Sequence, residues 1–266
     1  MTHSAINIER PLEITSLTKA FGDYVAVKGF NVRIESGEFV CLLGHSGCGK
    51  STVLSIIAGL DRATEGGVCI DGREIDSPGT DRGVVFQSPS LLPWLSAVEN
   101  VMLAAAQAFP KLSRNDRKKH AMKYLAMTGV DDVASGAPAD LSLGTQQRVA
   151  IARALSLEPR YLLLDEPFGA LDTLTRFDLQ DTLLAAWELS RKTVVMVTHD
   201  IDEALYLADR IVLMTDGPAS RVGEIIGVPF ERPRDRAQVL KHRDYHGLRN
   251  GILDFLENHA NHGKVA

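Results

Sequence analysis

The sequence predicts an α/β fold: a core sheet of buried strands, with an antiparallel β subdomain towards its start and a mainly helical insert within it. Three observations predict this. Gly44-His45-Ser46-Gly47-Cys48-Gly49-Lys50-Ser51-Thr52 fits the phosphate-loop pattern G-x-x-x-x-G-K-[ST], between an apolar run at 39–43 and a helical pattern at 53–58. Apolar runs at 161–166 and 194–199 read as buried strands on either side of a helix over 176–189. From Ser96 to about Arg160, between these halves, the character is helical.

Taken in order, 12–22 and 25–34 alternate apolar with polar residues around Gly22-Asp23, which predicts antiparallel strands. Residues 67–75 read as a hairpin turning at Asp71-Gly72, and 84–87 as a short strand ending in Gln87. Pro89 and Pro93 make 88–95 a loop. Ser113 precedes a basic amphipathic helix running to Met127, 134–139 is a small-residue linker, and 146–157 is helical again. In the helix at 176–189, Phe177, Leu183, Leu184 and Trp187 are expected to face the sheet. Residues 211–214 form a further strand. Beyond Gly217 the chain is richer in Pro and Arg and closes on a short helix near 248–258. The expected organisation is one domain over 1–240, with its helical insert at about 88–158, and a short helical extension at 241–266.

The chain has 266 residues, 45% of them hydrophobic and 24% charged, as in ordinary globular proteins. A net charge of -5 provides no basic field to recruit nucleic acid. Residues 1–10 lack the apolar core of a signal peptide, and no apolar run approaches the ~18–20 residues that span a bilayer. These features predict a cytoplasmic protein whose membrane role, if any, comes through a partner. Cys41, Cys48 and Cys69 show no metal-ligand spacing; Cys41 and Cys69 read as core residues, and Cys48 lies within the phosphate loop.

The chemistry follows from residue types. Glycines let the loop backbone turn its N–H groups towards phosphate oxygens at a helix N-terminus, Lys50 adds a mobile positive charge, and the Ser51 hydroxyl is a hard ligand for Mg²⁺. The competing reading is a chance glycine-rich turn, which the flanking strand and helix disfavour. Asp165-Glu166 ends an apolar strand: Asp165 is placed to hold the water shell of Mg²⁺, and Glu166 to orient or deprotonate an attacking water. Taken alone, the pair reads equally as two solvated acids at a strand end.

The stretch Leu141-Ser142-Leu143-Gly144-Thr145-Gln146-Gln147-Arg148-Val149-Ala150-Ile151-Ala152-Arg153-Ala154 adds a third feature. With it, nearly the whole chain resembles the ATP-binding subunit of an ABC transporter. The resemblance implies a P-loop NTPase (RecA-like) core of ABC ATPase type, with ATP and Mg²⁺ as cofactors. It implies Gln87 as the Q-loop residue touching metal and water, Asp172 in the D-loop, His199 as the switch histidine, and Phe21 as the aromatic stacked on adenine, with Tyr24 as the weaker candidate. Ser142, Gly144 and Thr145 would form a signature loop acting on a nucleotide held by a second subunit. Leu143 replaces that loop's first glycine, and Thr145 its glutamine. For His199 the bland alternative is a helix cap. The resemblance further implies a head-to-tail dimer, homodimeric or with a related ATPase, docked on transmembrane permease subunits at the cytoplasmic face of the inner membrane and served indirectly by a solute-binding protein.

The stretch 86–101 resembles the nitrate, sulfonate, taurine and bicarbonate importers. Its Leu91, Leu92, Trp94 and Leu95 would either form a groove for a membrane partner or pack the insert internally. The segments 194–210, 214–218 and 228–236 look most like the nitrate branch, with bicarbonate close behind. A soluble ABC ATPase is the alternative outside transport.

Overall fold

The computed structural model describes residues 11–260. The expectation for residues 1–10 therefore lies outside the described residues. Strands β1 (Leu12–Phe21) and β2 (Tyr24–Ile34) pair antiparallel across the Gly22-Asp23 turn, where Gly22 takes a φ of +59° that a side chain would disfavour. With β4 (Glu65–Ile70) and β5 (Arg73–Glu74) they form a four-stranded sheet in the order β2-β1-β4-β5.

The second sheet contains β3 (Phe39–Leu43), β6 (Arg82–Val85), β7 (Tyr161–Asp165), β8 (Thr193–Thr198), β9 (Arg210–Met214) and β10 (Val222–Gly227), in the order β10-β9-β3-β8-β7-β6. All but β10 are parallel. Parallel strands are covered on both faces, which explains the unbroken apolar runs. On β3, Phe39, Cys41 and Leu43 enter one core while Val40 and Leu42 enter another; on β8, Val194 and Met196 part from Val195 and Val197 in the same way.

Helix α1 (Lys50–Ile57) follows the phosphate loop. Between β6 and β7 lie α2 (Ala97–Ala108), α3 (Arg114–Met127) and α4 (Leu143–Leu155), which pack on one another. Then come α5 (Thr173–Ser190), α6 (Ile201–Leu207), α7 (Arg236–Lys241) and α8 (Tyr245–Ala260). Ser96, Ser113, Ser142, Asp172, Asp200 and Asp235 cap helices by accepting from backbone N–H groups in the first turn. Each such cap stabilises its helix by ~1 kcal/mol.

Several expectations need correction. Helix α4 starts three residues earlier than its apolar period suggests because Ser142 caps it, and α5 starts at Thr173 because Asp172 caps it. Leu183, Leu184 and Trp187 are buried, but Phe177 is 41% exposed and lies under the Arg236 guanidinium, 4.4 Å from its ring centre. Cys69 is only half-buried. Strand β10 was not foreseen. In the last helix, Ile252 and Leu256 join the same core as Phe39 and Trp187.

Candidate active site

The phosphate loop leaves the carboxyl end of β3, where an open parallel sheet offers its ligand crevice. Gly44, Cys48 and Lys50 are buried, Ser46, Gly47 and Ser51 are exposed, and His45, Gly49 and Thr52 are half-buried. The Lys50 ammonium donates to the carbonyls of Gly44 at 2.7 Å and His45 at 2.9 Å, so the loop is wrapped around its own cation. Burial pushes the Cys48 thiol up, which leaves it protonated and inert; nearby Lys50 only partly opposes this.

The Ser51 hydroxyl donates to Asp165 Oδ1 at 2.8 Å. A hydroxyl beside a carboxylate is the hard-oxygen set that suits Mg²⁺ completing its shell with phosphate oxygens and water. Among the described residues no three His, Cys, Asp or Glu side chains converge to hold a metal by themselves. Burial raises the Asp165 carboxyl above its ordinary range; the Ser51 hydrogen bond opposes this, and the neighbouring Glu166 charge adds to it.

Glu166 follows β7 with a φ of +44°, a left-handed backbone that costs a non-glycine residue about 1–2 kcal/mol. Its N–H donates to Val197 O at 3.0 Å, and its carbonyl accepts from Gly169 N at 3.1 Å, so both sides fix the turn. The side chain meets two other expected residues: Gln87 Nε2 donates to Glu166 Oε2 at 3.4 Å, and His199 Nδ1 lies 3.3 Å from the same oxygen. His199 is not the cap of α6. Asp200 is, accepting from Asp202 N and Glu203 N. At the other end of the site Phe21 and Tyr24 are about half exposed on their hairpin, and the Lys19 ammonium sits 4.8 Å from the Phe21 ring centre.

The signature-like loop is elsewhere. Helix α4 packs on β6, which lies three strands from β3, or roughly 14 Å at about 4.8 Å per strand. Ser142, Gly144 and Thr145 thus stand apart from the phosphate loop of their own chain. Ser142 Oγ accepts from Thr145 N at 3.2 Å and bonds Thr145 Oγ1 at 2.8 Å, so threonine completes the cap where the family pattern has glutamine. At Gly144 a Cβ would come within 2.5 Å of Thr175 Cγ2, which is why the loop lies so close to the first turn of α5 that Asp172 caps. Leu143 is 42% exposed and takes no part in the cap. Replacing it with glycine (Leu143→Gly) is therefore expected to leave ATPase turnover within about threefold of the parent in a steady-state assay; a large rise would mean that the leucine handicaps closure.

Three backbone carbonyls of the loop after β6 are held by α4. Gln147 Nε2 donates to Phe86 O at 3.1 Å, while Arg153 donates to Pro89 O at 3.0 Å and Ser90 O at 2.8 Å.

The profile of the ABC transporter family matches residues 27–169. The chain belongs to that family. The cassette is 52% identical over 235 residues to the nitrate import ATP-binding protein NrtD of Synechococcus elongatus, covering 88% of this chain and 86% of that one. It is 50% identical over 241 residues to the bicarbonate transport ATP-binding protein CmpD of the same organism, covering 91% and 87%. Among solved structures, the dimeric bacterial ABC transporter cassette MJ0796 superposes with a TM-score of 0.74 at 38% identity, over 83% of this chain and 100% of that one. MJ0796 has also been solved as a dimer in a post-hydrolysis state with ADP and Pi, at a TM-score of 0.73. This cassette is accordingly an α/β ATPase of the ABC type, and among its described residues no helix is long and apolar enough to cross a membrane.

Sequence reasoning missed Glu203. It is 6% exposed, accepts from Thr198 Oγ1 at 2.7 Å and from Gln180 Nε2 at 3.1 Å, and braces the strand end that carries His199. Burial, aided by the Asp200 charge, lifts its carboxyl from 4.5 to about 7 against those two hydrogen bonds. The folded chain thus holds this proton more tightly than the unfolded chain. Stability is fullest below about pH 4.5, falls as pH rises towards 7, and levels off above. In Glu203→Gln this slope disappears, so the gap, taken as variant stability minus parent stability, should rise by about 2 kcal/mol in the variant's favour between pH 5 and pH 8 in denaturant titrations. A gap that stays flat would show the carboxyl to be ionised throughout.

Proposed function

We propose that this cassette is the ATP-hydrolysing subunit of an importer for a small inorganic anion, nitrate or nitrite first. The hydrolytic half of the reading rests on one observation: a strained Glu166 at the tip of β7 faces Gln87 and His199, beside the Ser51–Asp165 pair.

Phe21 stacks on the adenine. The backbone N–H groups of the phosphate loop, Lys50 and Thr52 hold the phosphates. Ser51, Asp165 and Gln87 hold Mg²⁺, which when bound neutralises phosphate charge. Glu166 accepts a proton from a water whose oxygen attacks the γ-phosphorus, while the bond to the bridging oxygen breaks and ADP leaves with that electron pair. His199 keeps the carboxylate turned towards the water and contacts the γ-phosphate. Ser142, Gly144 and Thr145 act on the nucleotide of a second subunit, which is the same chain or a related ATPase, and Asp172 belongs to the D-loop. We take 1–240 as the ATPase domain, 88–158 as its helical insert and 241–266 as the extension. The subunit sits peripherally at the cytoplasmic face of the inner membrane. There it meets permease subunits through the exposed Trp94 and its neighbours, and it works with a solute-binding protein.

Bicarbonate is the second reading, because the relatives named for nitrate and for bicarbonate differ by only two percentage points in identity. Taurine and alkanesulfonates follow from the segment at 86–101. Uptake by cells carrying the parent or Glu166→Gln, offered each solute in turn, separates them. Loss of nitrate uptake alone supports the first reading, loss of another solute moves the substrate, and uptake untouched throughout brings forward an ABC ATPase not coupled to transport.

A further inference from the structure

The segment after β9, singled out in the sequence only for its family flavour, touches the phosphate loop at Asp216 and Ser220 and passes close to it at Gly217. Asp216 Oδ1 lies 2.8 Å from His45 Nδ1. A Cβ at Gly217 would stand 3.6 Å from Gly47 O and 3.2 Å from the Tyr24 hydroxyl. Ser220, fully buried, donates its hydroxyl to Cys48 O. The same segment is laced to β2: Ala219 N donates to Val25 O at 2.6 Å, Ser220 N to Ala26 O at 3.1 Å, and Lys28 N to Ser220 O at 2.8 Å. Gly49 allows this approach, since a Cβ there would fall 2.6 Å from Val27 Cγ2 and 3.6 Å from Ser220 Oγ.

We propose that residues 216–220 form a clasp on the outer face of the phosphate loop, with Asp216 and Ser220 as positioning residues for nucleotide binding. The inner face must leave its N–H groups free for phosphate oxygens, so the loop's shape has to be fixed from outside. Two carbonyls are already turned inward to Lys50, and the Cys48 carbonyl is turned outward to Ser220. Pulling two carbonyls one way and one the other sets the peptide planes that aim the intervening N–H groups. Because β2 starts at Tyr24, which pairs with Phe21 across the Gly22-Asp23 turn, the clasp also ties the base end of the site to the phosphate end. Loosening it should weaken binding of ATP and ADP alike, without touching the groups around Glu166.

This inference rests on the reading of 44–52 as the nucleotide site, so the parent is titrated first with a fluorescent ATP analogue. Absence of binding there would overturn that reading, and the clasp with it. Given binding, Asp216→Ala and Ser220→Ala should each raise KM for MgATP and Kd for ADP about fivefold, the factor that ~1 kcal/mol corresponds to, with kcat changed less than about twofold. Asp216→Asn, which keeps an acceptor for His45, should recover most of the loss. Asp216 is partly exposed, so its variants test the proposal even if removing the buried hydroxyl of Ser220 prevents folding. A lowered melting temperature with KM and Kd unchanged in the Asp216 variants would overturn the clasp and leave these residues a purely structural role.

Discussion

Glu166→Gln should stop turnover at the hydrolysis step and leave ATP bound. Glutamine has the shape of glutamate and can stay within reach of Gln87 and His199, but it cannot take a proton from water. A positioned base contributes roughly 10²- to 10⁴-fold, so ATPase activity is expected to fall by at least about 100-fold. Binding should survive, because Lys50 and the loop amides are untouched. If the signature loop closes on a second subunit's nucleotide, the unhydrolysed ATP should hold two chains together, and gel filtration with MgATP should move the variant, but not the parent, to twice the chain mass. A variant that hydrolyses ATP at the parent rate would remove Glu166 from its role and point to His199 as the base.

Lys50→Ala should act one step earlier. The Lys50 side chain is buried and its ammonium is satisfied by two loop carbonyls, so alanine removes the loop's central prop as well as the charge for the phosphates. Charge-assisted hydrogen bonds contribute about 1.5–3 kcal/mol each, and losing two of them weakens nucleotide binding on the order of 100-fold or more. The two variants therefore diverge on one titration with a fluorescent ATP analogue: tight for Glu166→Gln, nearly absent for Lys50→Ala. Near-parental affinity in Lys50→Ala would mean that the backbone amides suffice and that the lysine serves only the loop.

The parts of this molecule that were legible in its sequence are those written in contiguous residues. The phosphate loop, the strand ending in Asp165-Glu166 and the hairpin at Gly22-Asp23 each carry their own local grammar. Strand β10 escaped because it is a largely exposed edge strand, with glycine at two of its six positions and no apolar alternation to betray it. Phe177 misled because helical spacing gives a face but not what covers it, and here a guanidinium does. Glu203 and Ser220 were invisible for a different reason. Their partners are chosen by the fold, and the bond from Ser220 to Cys48 joins residues 172 apart in the chain. The candidate site was readable as residue types. The convergence of Gln87, Glu166 and His199, from three separate strand ends, was readable only through the family resemblance.

The hold of α4 on the loop after β6 has a mechanical consequence. Pro89 and Pro93 deprive that loop of a regular backbone ladder, so its stiffness is borrowed from Gln147 and Arg153, six residues apart on one helix. A strand tip and a helix joined at three carbonyls behave as a strut, and Gln147 anchors it about one helical turn from Leu143, where Ser142 and Leu143 are exposed. Under the proposed roles of Gln87 and the signature loop, that strut would join the γ-phosphate end of one subunit to the surface it offers another.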